Sequence, residues 1–273
     1  KFALYDLYKA EGLGLRAFMH FELLRLFSES IIQNPNATGI PYRENYTYQV
    51  TPFDPISVSY NKIIRDFKEA ERLLTEHGEY FDRTDENAGG FVKDRVIHMN
   101  LYAVQALLAR VYWEKGDLET AKNYAMKVID CPFFSMEDKT NVEDIMNGVI
   151  SDKETIWGLY SEEFPNYTRD VMYSSGGSYY YDPKPDYREI YEVDQDGFDY
   201  RLDKWFQTLS DHGAEGLRCM KVVDRFKVRL QTRPVTKLSG INMIRLPELY
   251  YIVAEYYLVA DDMKMAASYL DKV

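Results

Sequence analysis

The feature that constrains this chain most is a spacing of small and aromatic residues that occurs twice. In each copy an alanine is followed three positions later by a tyrosine, and nine positions after that by a second alanine. The copies are Ala109, Tyr112 and Ala121, and Ala254, Tyr257 and Ala266. Small residues let two helices approach closely, and an aromatic ring fills the space at their turn. The spacing therefore predicts two helical hairpins built to one plan.

Hydrophobic periodicity predicts the remaining elements. Helices are expected over 1–28, 57–77, 99–115, 118–130, 242–260 and 262–273, and a strand over Thr155–Tyr160. Ser57 is expected to cap the second helix, and Gly116 and Asp117 should end one helix and cap the next. Residues 187–209 are expected to hold short helices, and 217–230 to be extended.

Two helix faces can be assigned from the same periodicity. The stripe of the first helix expected to face the core is Leu4, Leu7, Tyr8, Leu15, Phe18, Met19 and Leu26. In the second helix Asp66 is expected on the solvent side, opposite an apolar face that includes Ile63 and Phe67. Arg16, Arg110 and Arg245 lie within helical patterns, so packing or ion pairing is their expected role.

Paired helices of this spacing are the unit of tetratricopeptide arrays. The predicted fold class is mostly α: a tetratricopeptide-like array, an α–α superhelix, with an irregular loop-rich region packed on it. We expect one domain over 1–273, with hairpins in 1–132, an irregular part with short strands in 133–238 and a returning hairpin in 239–273. A generic pair of helical hairpins is the alternative. Repeat arrays are binding scaffolds with exposed concave surfaces.

Composition and motifs favour binding over catalysis. The chain carries 44 acidic and 33 basic residues, a net charge of −11, which argues against a nucleic-acid partner. No nucleophile elbow, zinc-protease or phosphate-loop motif occurs, and the four histidines have no partner motif. A glycosidase pair stays open, because the many carboxylates single out no two residues.

Tyrosine is unusually abundant, with 24 in the chain. Its ring stacks on the flat face of a sugar and its hydroxyl hydrogen-bonds, so tyrosine-rich loops are candidate glycan sites. Two loops combine tyrosine with polar residues. The candidate ligand-binding residues in them are Tyr46, Tyr48, Tyr173, Tyr179, Tyr180 and Tyr181. The alternative is that these rings pack against the helical array.

One acidic segment has the outline of a calcium-binding loop. The residues are Glu192, Asp194, Asp196, Gly197 and Asp203, at positions 1, 3, 5, 6 and 12 of the loop. The match is flawed, because the first position usually holds Asp and the last a longer Glu. No cofactor is therefore expected, and calcium is only a minor alternative.

Four segments in the same order resemble the SusD/RagB family. They are residues 11–27 (EGLGLRAFMHFELLRLF), 60–74 (YNKIIRDFKEAERLL), 106–117 (ALLARVYWEKGD) and 242–256 (NMIRLPELYYIVAEY). Pro247 stands where the family usually has alanine, so the last helix is expected to start near Leu246. The resemblance implies the tetratricopeptide-like fold already predicted from the spacing.

The resemblance also implies a function. Members are surface-exposed lipoproteins of the Bacteroidetes outer membrane. They take part in polysaccharide utilisation and nutrient uptake. They hold an oligosaccharide or polysaccharide, less often a peptide, for a SusC-like TonB-dependent transporter. The lipid anchor would lie outside this sequence, which we expect to be a piece of a longer protein. The expected function is non-catalytic glycan capture; the alternatives are a tetratricopeptide adaptor for a protein or peptide, and a glycan-processing enzyme.

Overall fold

The structure is a computed structural model. It describes residues 2–77, 92–137, 150–151, 153–164, 167, 191, 202, 206–211, 214–219 and 238–273. The chain forms two compact units, the first comprising 1–136, 153–157 and 244–273, and the second 137–152 and 158–243. The division of a single domain into hairpin and irregular regions stays a prediction.

The first unit is helical. Its helices are α1 (Phe2–Phe27), α2 (Ile56–Glu76), α3 (Leu101–Glu114), α4 (Leu118–Ile129), α5 (Leu246–Val259) and α6 (Met263–Leu270), with a 3-10 turn at Arg95–Ile97. Along the chain each helix packs on the next, so α1 contacts α2, α2 contacts α3, and α4 contacts α5. The predicted mostly-α, tetratricopeptide-like class is confirmed. No helix in the described part of the chain is long and apolar enough to span a membrane.

The two hairpins are built to one plan, as the spacing predicts. Ala109 and Ala121 are fully buried, and Ala254 and Ala266 nearly so, at the α3–α4 and α5–α6 contacts. The repeat also extends further than the three positions identified from sequence. Tyr112 stacks on Tyr124 with ring centroids 5.8 Å apart, and Tyr257 stacks on Tyr269 at 5.7 Å. Lys127 and Lys272 then lie over the second ring, at 4.4 Å and 4.5 Å.

The turns of both hairpins use the same chemistry. Gly116 has φ of 80° at the end of α3, and the Asp117 side chain accepts a hydrogen bond from Thr120 N at 3.2 Å. Both predicted roles are confirmed. In the second hairpin Asp261 takes the left-handed position, with φ of 61°, and the Asp262 side chain caps α6. The two hairpins therefore share backbone geometry and capping although the left-handed residue differs.

The predicted Ser57 cap is wrong. Helix α2 begins at Ile56 and no side chain caps it. The backbone N–H groups of Ile56 and Ser57 instead donate to the carbonyls of Ala37 and Pro35, at 3.0 Å and 2.9 Å. The connection before the helix thus satisfies two of the free donors of the first turn.

The face assigned to α1 is also largely wrong. Of the predicted stripe Leu7 is buried, but Leu4, Tyr8, Leu15, Met19 and Leu26 are exposed. The buried face carries Ala10, Ala17, Phe21 and Leu24. Helix α1 is apolar on both sides, so periodicity alone could not choose between them. The small alanines decide the outcome because they let α2 approach.

Strands occur in short pairs. The predicted β1 (Thr155–Tyr160) is confirmed and pairs with β4 (Gly240–Arg245), which occupies the start of the helix predicted over 242–260. Helix α5 begins only at Leu246, as Pro247 indicated. In the second unit β2 (Phe206–Asp211) and β3 (Ala214–Cys219) form an antiparallel hairpin. The short helices predicted up to 209 are therefore wrong over 206–209.

Candidate functional site

In the connection between α1 and α2, residues 39–40 and residue 54 are joined by two backbone hydrogen bonds, and this pairing is here called the neck. Gly39 N donates to the Asp54 carbonyl at 2.8 Å, and Asp54 N donates to the Ile40 carbonyl at 3.3 Å. A Cβ at position 39 would lie 2.8 Å from Ser59 Oγ and 2.9 Å from the Asp54 carbonyl oxygen. Only glycine fits this approach without displacement. The neck projects residues 42–50, here called the tyrosine loop, from the helical unit.

The base of the tyrosine loop is anchored on a buried carboxylate. The Asp66 side chain on α2 is 3% exposed and accepts from Arg16 Nε at 2.6 Å and from the Tyr42 hydroxyl at 2.7 Å. Arg65 donates to its other oxygen at 2.9 Å. A buried charge is tolerable only when it is paired and hydrogen-bonded, and Asp66 is both.

The electrostatics keep this anchor ionised. Burial by itself would raise the pKa of the Asp66 carboxyl, but hydrogen bonds from Arg16, Tyr42 and Arg65 outweigh it and lower the pKa below its ordinary value. Burial, with the neighbouring Asp66, raises the pKa of the Tyr42 hydroxyl. Tyr42 therefore keeps its proton and remains a donor to the carboxylate.

Arginines also fix the middle of the loop. Arg16 reaches past Asp66 and donates to the Glu44 carbonyl at 2.9 Å, while Arg65 pairs with the Glu44 side chain at 2.7 Å. Within the loop the Arg43 guanidinium donates to the carbonyls of Thr47 and Gln49, at 2.5 Å and 3.2 Å. Backbone carbonyls on both sides of Tyr46 thus accept arginine hydrogen bonds, which, together with the Arg65–Glu44 ion pair, hold the loop in its conformation.

Two tyrosine rings of the tyrosine loop are almost fully exposed. Tyr46 is 96% exposed and Tyr48 is 95% exposed. Their centroids lie 6.2 Å apart with the planes inclined by 60°, so the rings contact each other edge to face. Both offer a ring face to solvent, which is the surface that stacks on a sugar. The exposed side chains of Arg43 and Asn45 provide hydrogen-bonding groups in the same loop.

Of the residues predicted from sequence, the structure brings Tyr46 and Tyr48 together. Tyr173, Tyr179, Tyr180 and Tyr181 lie outside the described residues and stay a prediction. The residues of the possible calcium loop, Glu192, Asp194, Asp196, Gly197 and Asp203, also lie outside them. Elsewhere in the described part of the chain, no group of three metal-binding side chains occurs.

Sequence periodicity missed the anchor itself. Asp66 is buried although periodicity places it on the solvent side, because Arg16, Tyr42 and Arg65 converge on it. The available signal was its helical spacing, since Asp66 lies three residues after Ile63 and four before Ala70, which are both buried. The ion pairing expected of the three arginines is observed. Their partners are Asp66 for Arg16, Glu248 for Arg110 and Glu154 for Arg245.

Solved structures share this arrangement of helices. A SusD-like carbohydrate binding protein from Bacteroides vulgatus ATCC 8482 superposes with a TM-score of 0.71 and 22% identity, over 99% of this chain and 55% of that one. A SusD superfamily protein from Bacteroides thetaiotaomicron VPI-5482 gives a TM-score of 0.71 and 20% identity, over 99% and 59%. A further superfamily protein from B. vulgatus gives 0.67 and 22%, over 97% and 57%.

The chain has the SusD-like fold. It spans between 55% and 59% of the length of these three SusD-like proteins. Neither a family model nor a curated protein matches the sequence. At identities of 15% to 22% among the similar structures, the SusD-like fold is what the likeness establishes. Function has to be argued from the residues of the site.

Proposed function

We propose that this chain captures an oligosaccharide without chemical change at the outer-membrane surface and passes it to a SusC-like TonB-dependent transporter. The whole protein would be a lipid-anchored, nutrient-binding component of polysaccharide utilisation. Tyr46 and Tyr48 would form an aromatic contact surface for the sugar. Tyr173, Tyr179, Tyr180 and Tyr181 stay predicted ligand-binding residues of a separate loop. The SusD-like fold supports this proposal, and one of its structural neighbours is named a carbohydrate binding protein.

The observation that carries the proposal is the exposure of Tyr46 and Tyr48 on a loop whose backbone is held in place. Covering a large exposed side chain is favourable by about 1.5–3 kcal/mol, and on an exposed ring this free energy is available to a ligand. Here hydrogen bonds from Arg16 and Arg43 to loop carbonyls, with the Arg65–Glu44 ion pair, hold the backbone, and Tyr46 and Tyr48 are almost fully exposed. Fixing the loop beforehand also lowers the entropy cost of binding. This arrangement suits a site that binds a ligand directly from solution.

A capture role sets the expected affinity. Delivery to a transporter requires release, so dissociation constants between about 1 mM and 1 μM are expected, or roughly −4 to −8 kcal/mol. Two tyrosine rings covered by a sugar can supply part of this free energy through the area that they bury. No bond is broken in the proposed role, so no general acid or base is needed.

The test is calorimetric titration of the chain with maltoheptaose, cellohexaose, xylohexaose and mannohexaose, followed by assay of reducing ends. Binding of at least one oligosaccharide without release of new reducing ends supports capture. New reducing ends would contradict the non-catalytic role. Absence of binding to every glycan would remove the oligosaccharide from the proposal.

A second candidate is an adaptor for a protein or peptide. The observation in its favour is the exposed apolar side of α1, where Met19, Leu26 and Phe27 are 56%, 73% and 77% exposed. Such patches mark interaction surfaces on helical arrays. Failure of all glycans to bind, together with loss of a peptide interaction on Leu26→Glu substitution, would favour the adaptor.

A further inference from the structure

His20 on α1 lies directly beneath the tyrosine loop. Its ring stacks on Tyr42 with centroids 4.2 Å apart and planes inclined by 32°. His20 Nδ1 is 2.8 Å from the Arg16 carbonyl oxygen, one helical turn earlier. His20 Nε2 is 3.1 Å from the backbone N of Arg43, which belongs to the loop. The imidazole therefore joins the helix to the loop through both of its nitrogens.

These partners determine the protonation state that the contact needs. A carbonyl oxygen can only accept a hydrogen bond, so Nδ1 must carry a proton and donate to Arg16. A backbone N–H can only donate, so Nε2 must be unprotonated and accept from Arg43. Only the neutral imidazole with its proton on Nδ1 satisfies both contacts. A doubly protonated ring has two donors and would place an N–H against the Arg43 N–H.

Each carboxylate in the surroundings of His20 that the structure describes already has another partner. The charged side chains around the His20–Tyr42 stack are Arg16 on α1, Arg43, Glu44 and Asp54 in the connection, and Lys62, Arg65 and Asp66 on α2. The three carboxylates are already paired. Asp66 holds Arg16 and Arg65, Glu44 holds Arg65, and Asp54 holds Lys62 at 2.7 Å.

The stacking contact with Tyr42, by contrast, favours the protonated ring of His20. An imidazolium stacked on Tyr42 gains a cation–π attraction, whose magnitude at partly exposed sites is comparable to that of one neutral hydrogen bond. The stack holds the ring against Tyr42, however, while the Nε2 contact is the one that reaches the backbone of Arg43. Protonation therefore keeps the imidazole on Tyr42 but removes its hydrogen bond from the Arg43 backbone, one of the contacts that hold the loop. Imidazole is the side chain that ordinarily changes charge between pH 5 and 8.

We infer that His20 is a positioning residue whose neutral imidazole latches the tyrosine loop to α1, and that its protonation opens the latch and weakens ligand capture. The loss of capture rests on the proposed role of Tyr46 and Tyr48. The latch rests on the two nitrogen contacts alone. A surface protein with this latch would hold its ligand more tightly at neutral pH than in an acidified medium.

The latch can be tested without any ligand by hydrogen exchange and NMR between pH 7.5 and 5.0. We expect protection of the Arg43 amide, corrected for the intrinsic exchange rate, to fall about three- to ten-fold on acidification. The ring ¹⁵N shifts of His20 should report a proton on Nδ1 at pH 7.5. In His20→Gln the side-chain oxygen can accept from Arg43 N–H and does not titrate, so protection should be independent of pH.

His77→Gln is the matched control, because His77 follows the last residue of α2 and contacts Asp6 on α1 at 2.7 Å. It should keep the pH response of the unmodified chain. The proposal would be contradicted if the pH response persists in His20→Gln. It would also be contradicted if the neutral ring of His20 carries its proton on Nε2. Titration of the four oligosaccharides at both pH values separates the two proposals. Loss of protection without glycan binding leaves the latch and removes the proposed ligand, whereas binding with constant protection removes the latch.

Discussion

The hydroxyl of Tyr42 donates to the buried carboxylate of Asp66 at 2.7 Å. This bond joins the first residue of the tyrosine loop to the middle of α2, and Arg16 on α1 completes the junction at 2.6 Å. The loop is thus connected to the interior of the helical unit by a polar network. The stability of the scaffold and the position of Tyr46 and Tyr48 should therefore depend on the same carboxylate.

Removing the charge of Asp66 should destabilise the chain. Asp66→Asn leaves Arg16 and Arg65 facing a neutral amide, so the free energy of unfolding should fall by about 2–3 kcal/mol. Urea unfolding followed by circular dichroism measures the change. Glu69→Gln is the control, because Glu69 pairs with Lys9 and Arg72 on the exposed side of α2 and should matter much less. Equal effects of the two substitutions would contradict the anchoring role.

The same carboxylate predicts a particular acid response. Its pKa is lower in the folded chain than its ordinary value, so its stabilising contribution is complete above the unfolded pKa of about 3.9. The contribution is lost as the pH falls through the folded pKa. The stability difference between the unmodified chain and Asp66→Asn should therefore be constant from pH 7 to 5 and shrink below about pH 4. A difference that does not change down to pH 2 would show that Asp66 is not preferentially ionised in the fold.

The neck of the loop should respond to a single methyl group. Gly39→Ala places a Cβ within 2.9 Å of the Asp54 carbonyl oxygen, so the neck must open, at a cost of about 1–3 kcal/mol. Gly12→Ala is the matched control. Position 12 lies in α1, and apart from the adjacent turns of the helix backbone no atom lies within 4 Å of the added Cβ, so helix propensity should make the change neutral or stabilising by up to about 1 kcal/mol. Thermal denaturation of both variants checks the contrast.

The two hairpins allow a stabilising change to be predicted. Asp261 has φ of 61° at the position where the first hairpin uses Gly116. Because glycine adopts this conformation without strain, Asp261→Gly should stabilise the chain by about 0.5 kcal/mol. The reverse experiment, Gly116→Ala, should destabilise it by about 1 kcal/mol. Destabilisation by Asp261→Gly in urea unfolding would mean that the aspartate side chain has a role that its exposure does not suggest.

Local features of the sequence predicted the scaffold well. The alanine–tyrosine–alanine spacing, the Gly116 turn and the Asp117 cap each depend on residues within one hairpin. Such features can be read from a short window because the interacting groups are neighbours in the chain. The start of α5 follows the same rule, because Pro247 by itself indicated that the helix begins at Leu246.

Features that depend on distant partners could not be predicted in this way. Asp66 binds Tyr42 and Arg16, which are 24 and 50 positions away, so its burial depends on how α1, α2 and their connection assemble. The buried side of α1 was likewise undetermined by a helix that is apolar on both sides. Tyr46 and Tyr48 could be proposed from composition, but the arginine contacts that keep them exposed could not.

The most direct measurement of the central claim is the affinity of Tyr46→Ala/Tyr48→Ala for whichever oligosaccharide binds the unmodified chain most tightly. We expect at least a ten-fold loss, about 1.4 kcal/mol, with an unchanged unfolding midpoint, because both rings are exposed. Tyr5→Ala/Tyr251→Ala, which removes two exposed rings elsewhere, should bind normally. Unchanged affinity in Tyr46→Ala/Tyr48→Ala would contradict the claim. If the triple substitution Tyr179→Ala/Tyr180→Ala/Tyr181→Ala then abolishes binding, the ligand site lies in that predicted loop instead.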